Sequence, residues 1–200
     1  EKRLVFSEYG HTIDTWEHSK IEVDDYYIDN TEGTLTTDGS GIVATNYGTG
    51  QKFHGPVAHK EIEPIQDFEM EVNIETTTEF YSETLRIEVY MFDEYMNMLG
   101  KVGIFDDNVN LHRRIGVARV GEYSGFGVRY PINYRNFLYD DLGRQSQFNI
   151  KARRKGNLYE FYFANIEDGV HDSKRRLWAH YSDLENKYTG RLKYIQVFIG

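Results

Sequence analysis

The chain has 200 residues, a length that suits one globular domain. Its formal net charge of -9 argues against nucleic acid and against an anionic membrane surface, because both need a basic protein face. The absence of cysteine excludes zinc–thiolate sites, thiol nucleophiles and disulfides. With 40% hydrophobic residues the chain can build a core, so we expect a single module over residues 1–200, with 1–15 as a linker or an edge strand.

Period-two alternation predicts the strands of the first half. At 67–75 apolar and acidic side chains alternate, which indicates a strand with one buried face. Further strands are predicted at 85–92 and 98–105, joined by a polar loop at 93–97. In the second of these three strands one face is apolar, with Leu85, Ile87, Val89 and Met91.

The second half repeats this pattern. Strands at 148–153 and 158–165 flank Gly156-Asn157, a hairpin signal. A short strand is predicted at 177–182, followed by one possible helical turn at 182–188.

A closing strand is predicted at 191–199, where we assign the face of Ile195, Val197 and Ile199 to the core. Many short strands without sustained helical periodicity predict an all-β fold, a two-sheet antiparallel jelly-roll sandwich.

Charge is unevenly distributed along the chain. The first 110 residues carry 7 basic and 23 acidic side chains, and the other 90 carry 16 and 9. We expect strands from the two halves to interleave, so that their charges neutralise one another.

An acidic ladder is the most enzyme-like feature of the sequence. Asp67, Glu69, Glu71 and Glu75 lie on one strand, where alternate side chains are roughly 6.5–7 Å apart. Paired carboxylates at such spacing serve glycoside hydrolases, so a sandwich-type hydrolase using Glu69 and Glu71 is one alternative. A solvated strand face is the favoured interpretation.

Metal-binding signals are weak. The seven histidines show no compact metal spacing, and no phosphate loop, dinucleotide fingerprint or nucleophile elbow is present. Acidic pairs at 24–25, 106–107 and 140–141 leave a structural calcium open, although turn-forming aspartates are favoured. We therefore expect no cofactor.

Aromatic and planar polar side chains are the remaining candidates for a functional site. Saccharide sites combine an aromatic platform with Arg, Asn, Asp or Gln within hydrogen-bond reach, and this chain has 16 Tyr. The residues predicted to bind a saccharide are Arg86, Glu88, Tyr90, His112, Arg114, Tyr130, Trp178 and His180.

One segment resembles a known family. Residues 46–56, Asn-Tyr-Gly-Thr-Gly-Gln-Lys-Phe-His-Gly-Pro, are followed by Val-Ala-His-Lys at 57–60 and Ile-Gln-Asp-Phe-Glu at 65–69. This run is similar to modules in siphophage tail-tip proteins, the enlarged distal tail proteins and tail-associated adhesion proteins. The likeness covers roughly residues 40–200 and extends to the hairpin at 153–157 and the closing strand.

The resemblance implies a concanavalin- or laminin-G-like jelly roll with no catalytic activity. It implies a carbohydrate-binding module that recognises host cell-wall polysaccharide during phage adsorption, located in the virion at the tail tip. Other tail proteins would be partners through the parent chain. A structural spacer in the tail, with its exposed aromatic residues buried against a partner, is a further alternative.

Overall fold

A computed structural model describes residues 1–22, 33–45, 55–76, 86–107, 112–119, 135–138, 146–165, 176–182 and 189–200. These ranges contain a short 3₁₀ helix, Ile13–Thr15, and twelve β-strands. The strands are β1 (Thr34–Thr37), β2 (Ile42–Thr45), β3 (Val57–Ile65), β4 (Phe68–Thr76), β5 (Arg86–Asp93), β6 (Met98–Asp107), β7 (His112–Arg119), β8 (Arg135–Leu138), β9 (Ser146–Lys155), β10 (Leu158–Asn165), β11 (Arg176–Ser182) and β12 (Leu192–Ile199).

The strands form two main sheets and a small ribbon. A six-stranded sheet has the order β3-β12-β5-β6-β7-β8, and a four-stranded sheet has the order β11-β10-β9-β4. The ribbon pairs β1 with β2, and every strand pairing is antiparallel. The predicted all-β antiparallel sandwich is confirmed, with strands at each position that alternation indicated.

The core lies between the facing sheets. Phe68, Ile150 and Phe161 of the four-stranded sheet share one apolar cluster with Val89 and Val102 of the six-stranded sheet. The predicted core face of β12 is confirmed, because Ile195, Val197 and Ile199 belong to the same cluster. Burying such a side chain stabilises the fold by about 1.5–3 kcal/mol.

A β-bulge changes the alternation at the start of β12. The pairing of β12 with both neighbours shifts between Leu192 and Tyr194. Strict alternation places Leu192 opposite the core face, but Leu192 is buried in the core cluster. An extra residue in one strand reverses the facing of the residues before it, which is the physical reason for the difference.

The N-terminal segment differs from the prediction of a linker or an edge strand. Residues 1–12 form no strand, and the side chain of Ile13 is inserted fully into the core. Trp16 joins the same cluster, and Lys2 pairs with Glu69 on β4. Burial of Ile13 and Trp16 fixes the segment against the sandwich.

The geometry confirms the predicted turn at Gly156 and shows why glycine stands at position 55. Gly156 begins the β9–β10 turn with φ of +60°, a conformation that glycine adopts without a steric penalty. Gly55 allows a close approach, because a Cβ there would collide with the carbonyl oxygen of Ile199. The rest of the run at 46–54 and the possible helical turn at 183–188 lie outside the described residues.

The two halves of the chain interleave as their charges predicted. The acidic strand β4 pairs with the basic strand β9, which places Glu69 opposite Arg153 and Glu71 opposite Lys151. The last strand inserts between β3 and β5, and Lys193 Nζ lies 3.3 Å from a carboxylate oxygen of Glu61. The sequence asymmetry therefore produces cross-strand ion pairs within each sheet.

Candidate functional site

The outer face of the six-stranded sheet carries two predicted saccharide-binding residues. Glu88 and Tyr90 lie opposite the core residues Val89 and Met91, as the alternation of β5 predicted. The Tyr90 hydroxyl donates a hydrogen bond to Glu88, and Lys101 Nζ donates to the other carboxylate oxygen at 3.0 Å. Lys101 also lies 5.4 Å from the centre of the Tyr90 ring.

All three side chains of this cluster are buried. The exposed fractions of Glu88, Tyr90 and Lys101 are 3%, 0% and 1%. A ring without accessible surface cannot stack on a sugar in this conformation. The role of Glu88 and Tyr90 in saccharide binding stays a prediction, and it would require a conformation that exposes them.

A segment of the chain accounts for part of this burial. Glu17 forms a bridge with His59 of β3, and the ring of His59 donates to the carbonyl of Ser19 at 2.6 Å. Ile21 then packs with Tyr90, Phe92 and Phe198, and its backbone N–H donates to the buried side chain of Gln196. We call residues 17–21 the strap. It covers apolar rings that water would otherwise contact.

Three further predicted residues lie on the same sheet. Arg86 begins β5, and β7 carries His112 and Arg114 opposite Asp107 and Phe105 of β6. Their backbone positions are described and their side chains are not. Tyr130 lies outside the described residues.

Trp178 and His180 lie on the other sheet, whereas Arg86, Glu88, Tyr90, His112 and Arg114 lie on the six-stranded sheet. Trp178 and His180 both belong to β11, at the edge of the four-stranded sheet. His180 pairs with Glu160, and Trp178 occupies a bulge between the pairs Phe161–Ala179 and Tyr162–Leu177. The bulge adds one residue to β11, so the alternation of this strand changes at Trp178.

The outward side of the four-stranded sheet is polar and accessible. We call it the polar face, formed by Glu69, Glu71, Asn73, Lys151, Arg153, Glu160 and Tyr162. These residues alternate with the core residues of β4, β9 and β10, and all are exposed or half-buried. Extending strict alternation to the predicted strands at 148–153 and 158–165 would have identified four of these residues that the site prediction omitted, Lys151, Arg153, Glu160 and Tyr162.

Ion pairs and amide hydrogen bonds organise the polar face. Arg153 lies 3.6 Å from Glu160, which accepts a hydrogen bond from the Tyr162 hydroxyl at 3.0 Å. Burial and this hydrogen bond raise the pKa of Tyr162, so its phenol stays a donor at neutral pH. These contacts fix the tyrosine ring on the sheet surface.

A pair of amides lies at the centre of this sheet. Asn149 donates to the side-chain oxygen of Asn73 at 2.8 Å, and its own amide oxygen is buried without a hydrogen-bond donor among the described residues. A buried acceptor without a partner costs about 1–3 kcal/mol.

Glu69 of the acidic ladder is held in its ionised form. Partial burial raises the pKa of Glu69, but the hydrogen bond from Lys2 and the charge of Lys151 outweigh it, and the net pKa is lowered. Lys2 Nζ lies 3.0 Å and Lys151 Nζ 3.3 Å from the carboxylate. A general acid needs the opposite shift, so this environment argues against Glu69 as the general acid of the hydrolase alternative.

The lowered pKa of Glu69 gives a pH prediction. Because its folded pKa lies below its unfolded value, its ion pairs stabilise the fold above the unfolded pKa and are lost as pH falls through the folded one. Glu69→Gln should therefore cost under about 1 kcal/mol at pH 7 and nothing once the wild-type carboxyl is protonated. Urea unfolding of wild type and Glu69→Gln from pH 7 down to pH 3 measures the difference between their free energies of unfolding. A difference that grows toward acid would contradict this account.

The described residues contain no group of three or more His, Asp or Glu side chains that could hold a metal ion. The acidic pairs at 24–25 and 140–141 lie outside those residues, and the side chains of 106–107 are not described. Across the described ranges no helix is long and apolar enough to cross a membrane.

Comparison with known proteins supports the fold. No protein-family model matches the chain, and no curated protein matches it. Among solved structures it is similar to the CBM2 module of Lactobacillus casei BL23 phage J-1 evolved Dit, with 14% identity and a TM-score of 0.59. The match covers 88% of this chain and 74% of that one. The chain has the fold of this phage Dit module.

The resemblance noted in the sequence is thereby confirmed for the fold. A tetrameric galectin from the ball sponge Cinachyrella sp. is also similar, at 10% identity and a TM-score of 0.45. That match covers 72% of this chain and 88% of the galectin, and its TM-score is too low to support a conclusion.

Proposed function

We propose that the chain is a non-catalytic carbohydrate-binding module of a phage tail-tip protein. It binds cell-wall polysaccharide of the host bacterium during adsorption, and it is located in the virion with other tail proteins as partners through the parent chain. One observation carries the proposal: the sandwich it shares with a phage carbohydrate-binding module presents the accessible polar face.

The polar face has the chemistry that a saccharide needs. Tyr162 offers an aromatic surface to the apolar face of a sugar ring, and the surrounding side chains accept and donate hydrogen bonds to hydroxyls. His180, a residue that the sequence predicts to bind a saccharide, is directly opposite Glu160 in the backbone register of β10 and β11.

Charge on this face is largely neutralised within the protein. Glu69 is paired with Lys2 and Lys151, and Glu160 is paired with Arg153. Binding then depends on stacking and hydrogen bonds, so the affinity of one site is weak. Several copies of a module on one tail would raise the avidity through effective concentration.

Replacing Tyr162 by Ala should weaken binding to a purified bacterial cell-wall polysaccharide by about 3- to 10-fold, since one aromatic contact is worth about 0.5–1.5 kcal/mol. Tyr162→Phe is the matched control, because it keeps the ring and removes the hydroxyl that bonds Glu160. Biolayer interferometry on an array of such polysaccharides measures both variants.

Thermal melting confirms that each variant is folded before binding is compared. Wild-type protein that binds no polysaccharide of the array would refute the proposed function. Binding that Tyr162→Ala leaves unchanged would remove the polar face as its site.

A further inference from the structure

Several connections meet at one end of the sandwich. Arg154 donates hydrogen bonds there to the carbonyls of Gln66, in the β3–β4 turn, and Gly190, which precedes β12, at 2.7 and 2.8 Å. The backbone N–H of Gly156 donates to Asp67 at 2.9 Å, which ties the β9–β10 turn to the β3–β4 turn. We call these connections, together with the β5–β6 loop at 94–97, the turn cluster.

The β5–β6 loop presents two large side chains to solvent. Tyr95 is 73% exposed and Met96 is 45% exposed, while Glu94 before them is partly buried and Asn97 after them is exposed. Met96 also has φ of +63°, a conformation that glycine or asparagine adopts at lower cost. The fold therefore maintains an exposed apolar tip on a strained backbone.

This tip is rigid. One carboxylate oxygen of Asp93 accepts the backbone N–H groups of Tyr95 and Asn97, both at 2.8 Å, and the other accepts the Asn97 amide at 3.2 Å. Asp93 is 1% exposed, and Gly190 packs so closely on its carboxylate that a Cβ would collide with it. A ligand that contacts Tyr95 meets a preformed surface and loses little affinity to ordering it.

Planar polar groups of this loop and of the residue before β12 form an ion pair. Arg191 Nη2 donates to Glu94 at 2.7 Å and Nε bridges both oxygens of the same carboxylate at 3.2 and 3.3 Å. This hydrogen bonding with Glu94 and its charge raise the pKa of Arg191, and the neighbouring Tyr95 adds to the effect. Arg191 remains half-exposed, so part of the pair is open to ligand hydroxyls.

We propose that Tyr95, with the Glu94–Arg191 pair, forms a second saccharide-binding site on this module, separate from the polar face. The inference rests on the proposed function and names an additional contact for the same polymer. Tyr95 stacks on the apolar face of one sugar ring, and the guanidinium and carboxylate bond its equatorial hydroxyls.

The size of this surface favours a sugar over a protein partner. An aromatic side chain contributes about 150–250 Å² of contact area. A stable protein interface buries about 800 Å² on each partner, which an exposed ring and a thioether do not supply. One pyranose ring matches the available area.

The test compares Tyr95→Ala with Tyr9→Ala, because Tyr9 is 65% exposed and lies on the N-terminal segment. The probes are an array of purified bacterial cell-wall polysaccharides and, by saturation-transfer NMR, the methyl glycosides of glucose, galactose, rhamnose and N-acetylglucosamine. Tyr95→Ala should bind about 3- to 10-fold more weakly than wild type, with Tyr9→Ala unchanged. In the double variant Tyr95→Ala with Tyr162→Ala, the two fold-decreases in affinity should multiply.

The outcomes separate this inference from the proposed function. If Tyr162→Ala weakens binding while Tyr95→Ala behaves like Tyr9→Ala, the second site is refuted and the proposed function stands. If wild-type protein binds no saccharide, both are refuted. If Tyr95→Ala keeps saccharide affinity but loses binding to another tail protein, the tip is a protein contact and the inference is overturned.

Discussion

Replacing Arg154 with Ala is expected to destabilise the fold by about 3 kcal/mol or more, which for a domain of this size lowers the melting temperature by about 6–12 °C. Arg154 is 1% exposed and is the largest of the fully buried side chains described. Its guanidinium donates to Gln66, Gly190 and the hydroxyl of Tyr159, at 2.7, 2.8 and 3.0 Å.

The size of this effect follows from what the substitution leaves behind. Two backbone carbonyls lose a charged donor, and a buried polar group without a partner costs about 1–3 kcal/mol. The guanidinium also lies 5.4 and 5.7 Å from the ring centres of Phe68 and Tyr159, so a cavity opens between them. Relief of the desolvation cost of the buried charge offsets only part of this loss.

The neighbouring residue provides the control. Arg153 lies on the polar face with its side chain 37% exposed and forms an ion pair with Glu160 at 3.6 Å. Arg153→Ala should change stability by less than about 1 kcal/mol. Urea unfolding of both variants measures the difference, and an Arg154→Ala protein as stable as Arg153→Ala would show that Arg154 does not hold the turn cluster together.

Arg154 also shows how far sequence reasoning reaches. The run Arg153-Arg154-Lys155-Gly156-Asn157 predicts a hairpin, and that hairpin forms with the predicted turn. Yet three consecutive basic residues suggest a solvated turn, whereas alternation from the core residues Ile150 and Ala152 places Arg154 inward. Its partners are mostly backbone carbonyls from distant segments, which no local pattern reveals.

The six-stranded sheet illustrates a second limit. In β12 the set Tyr194, Gln196 and Phe198 carries two large aromatic rings, opposite the predicted core set Ile195, Val197 and Ile199. Such a strand is buried on both faces, and Phe198 and Gln196 are fully buried on the outer one. This signal was available in the sequence, but the strap that covers the face has no periodic pattern of its own.

The bulges at Leu192 and Trp178 lie beyond what alternation can predict. A bulge adds one residue to one strand, so it changes the face of every residue on one side of it. Its position depends on the packing of the neighbouring strands. The faces of β4, whose pairing with β9 has no register shift, were therefore predicted correctly, whereas Leu192 lies on the face opposite to the one that alternation gives.

The buried pair of Glu88 and Lys101 gives the second large effect. Lys101→Met is expected to cost about 3–5 kcal/mol, because it removes an ammonium donor 3.0 Å from a carboxylate that stays buried. The double variant Glu88→Gln with Lys101→Met should recover most of that loss, since a neutral amide keeps the hydrogen bond from Tyr90 without a buried charge.

The pH dependence of stability provides an independent measure of the buried charge on Glu88. In Lys101→Met, protonation of the Glu88 carboxyl removes a buried negative charge, so the variant should regain stability relative to wild type as pH falls. In the double variant this gain should be absent, because the amide that replaces the carboxyl does not titrate in this range.

Urea unfolding at pH 7 and pH 4.5 of wild type, Glu88→Gln, Lys101→Met and the double variant completes a double-mutant cycle. A coupling energy near zero would mean that the ion pair contributes nothing beyond its separate side chains. A large coupling would indicate that the outer face of the six-stranded sheet is held closed by charge as well as by the apolar packing of Ile21 on Phe92 and Phe198. In that case the ion pair stabilises the covered outer face of the six-stranded sheet.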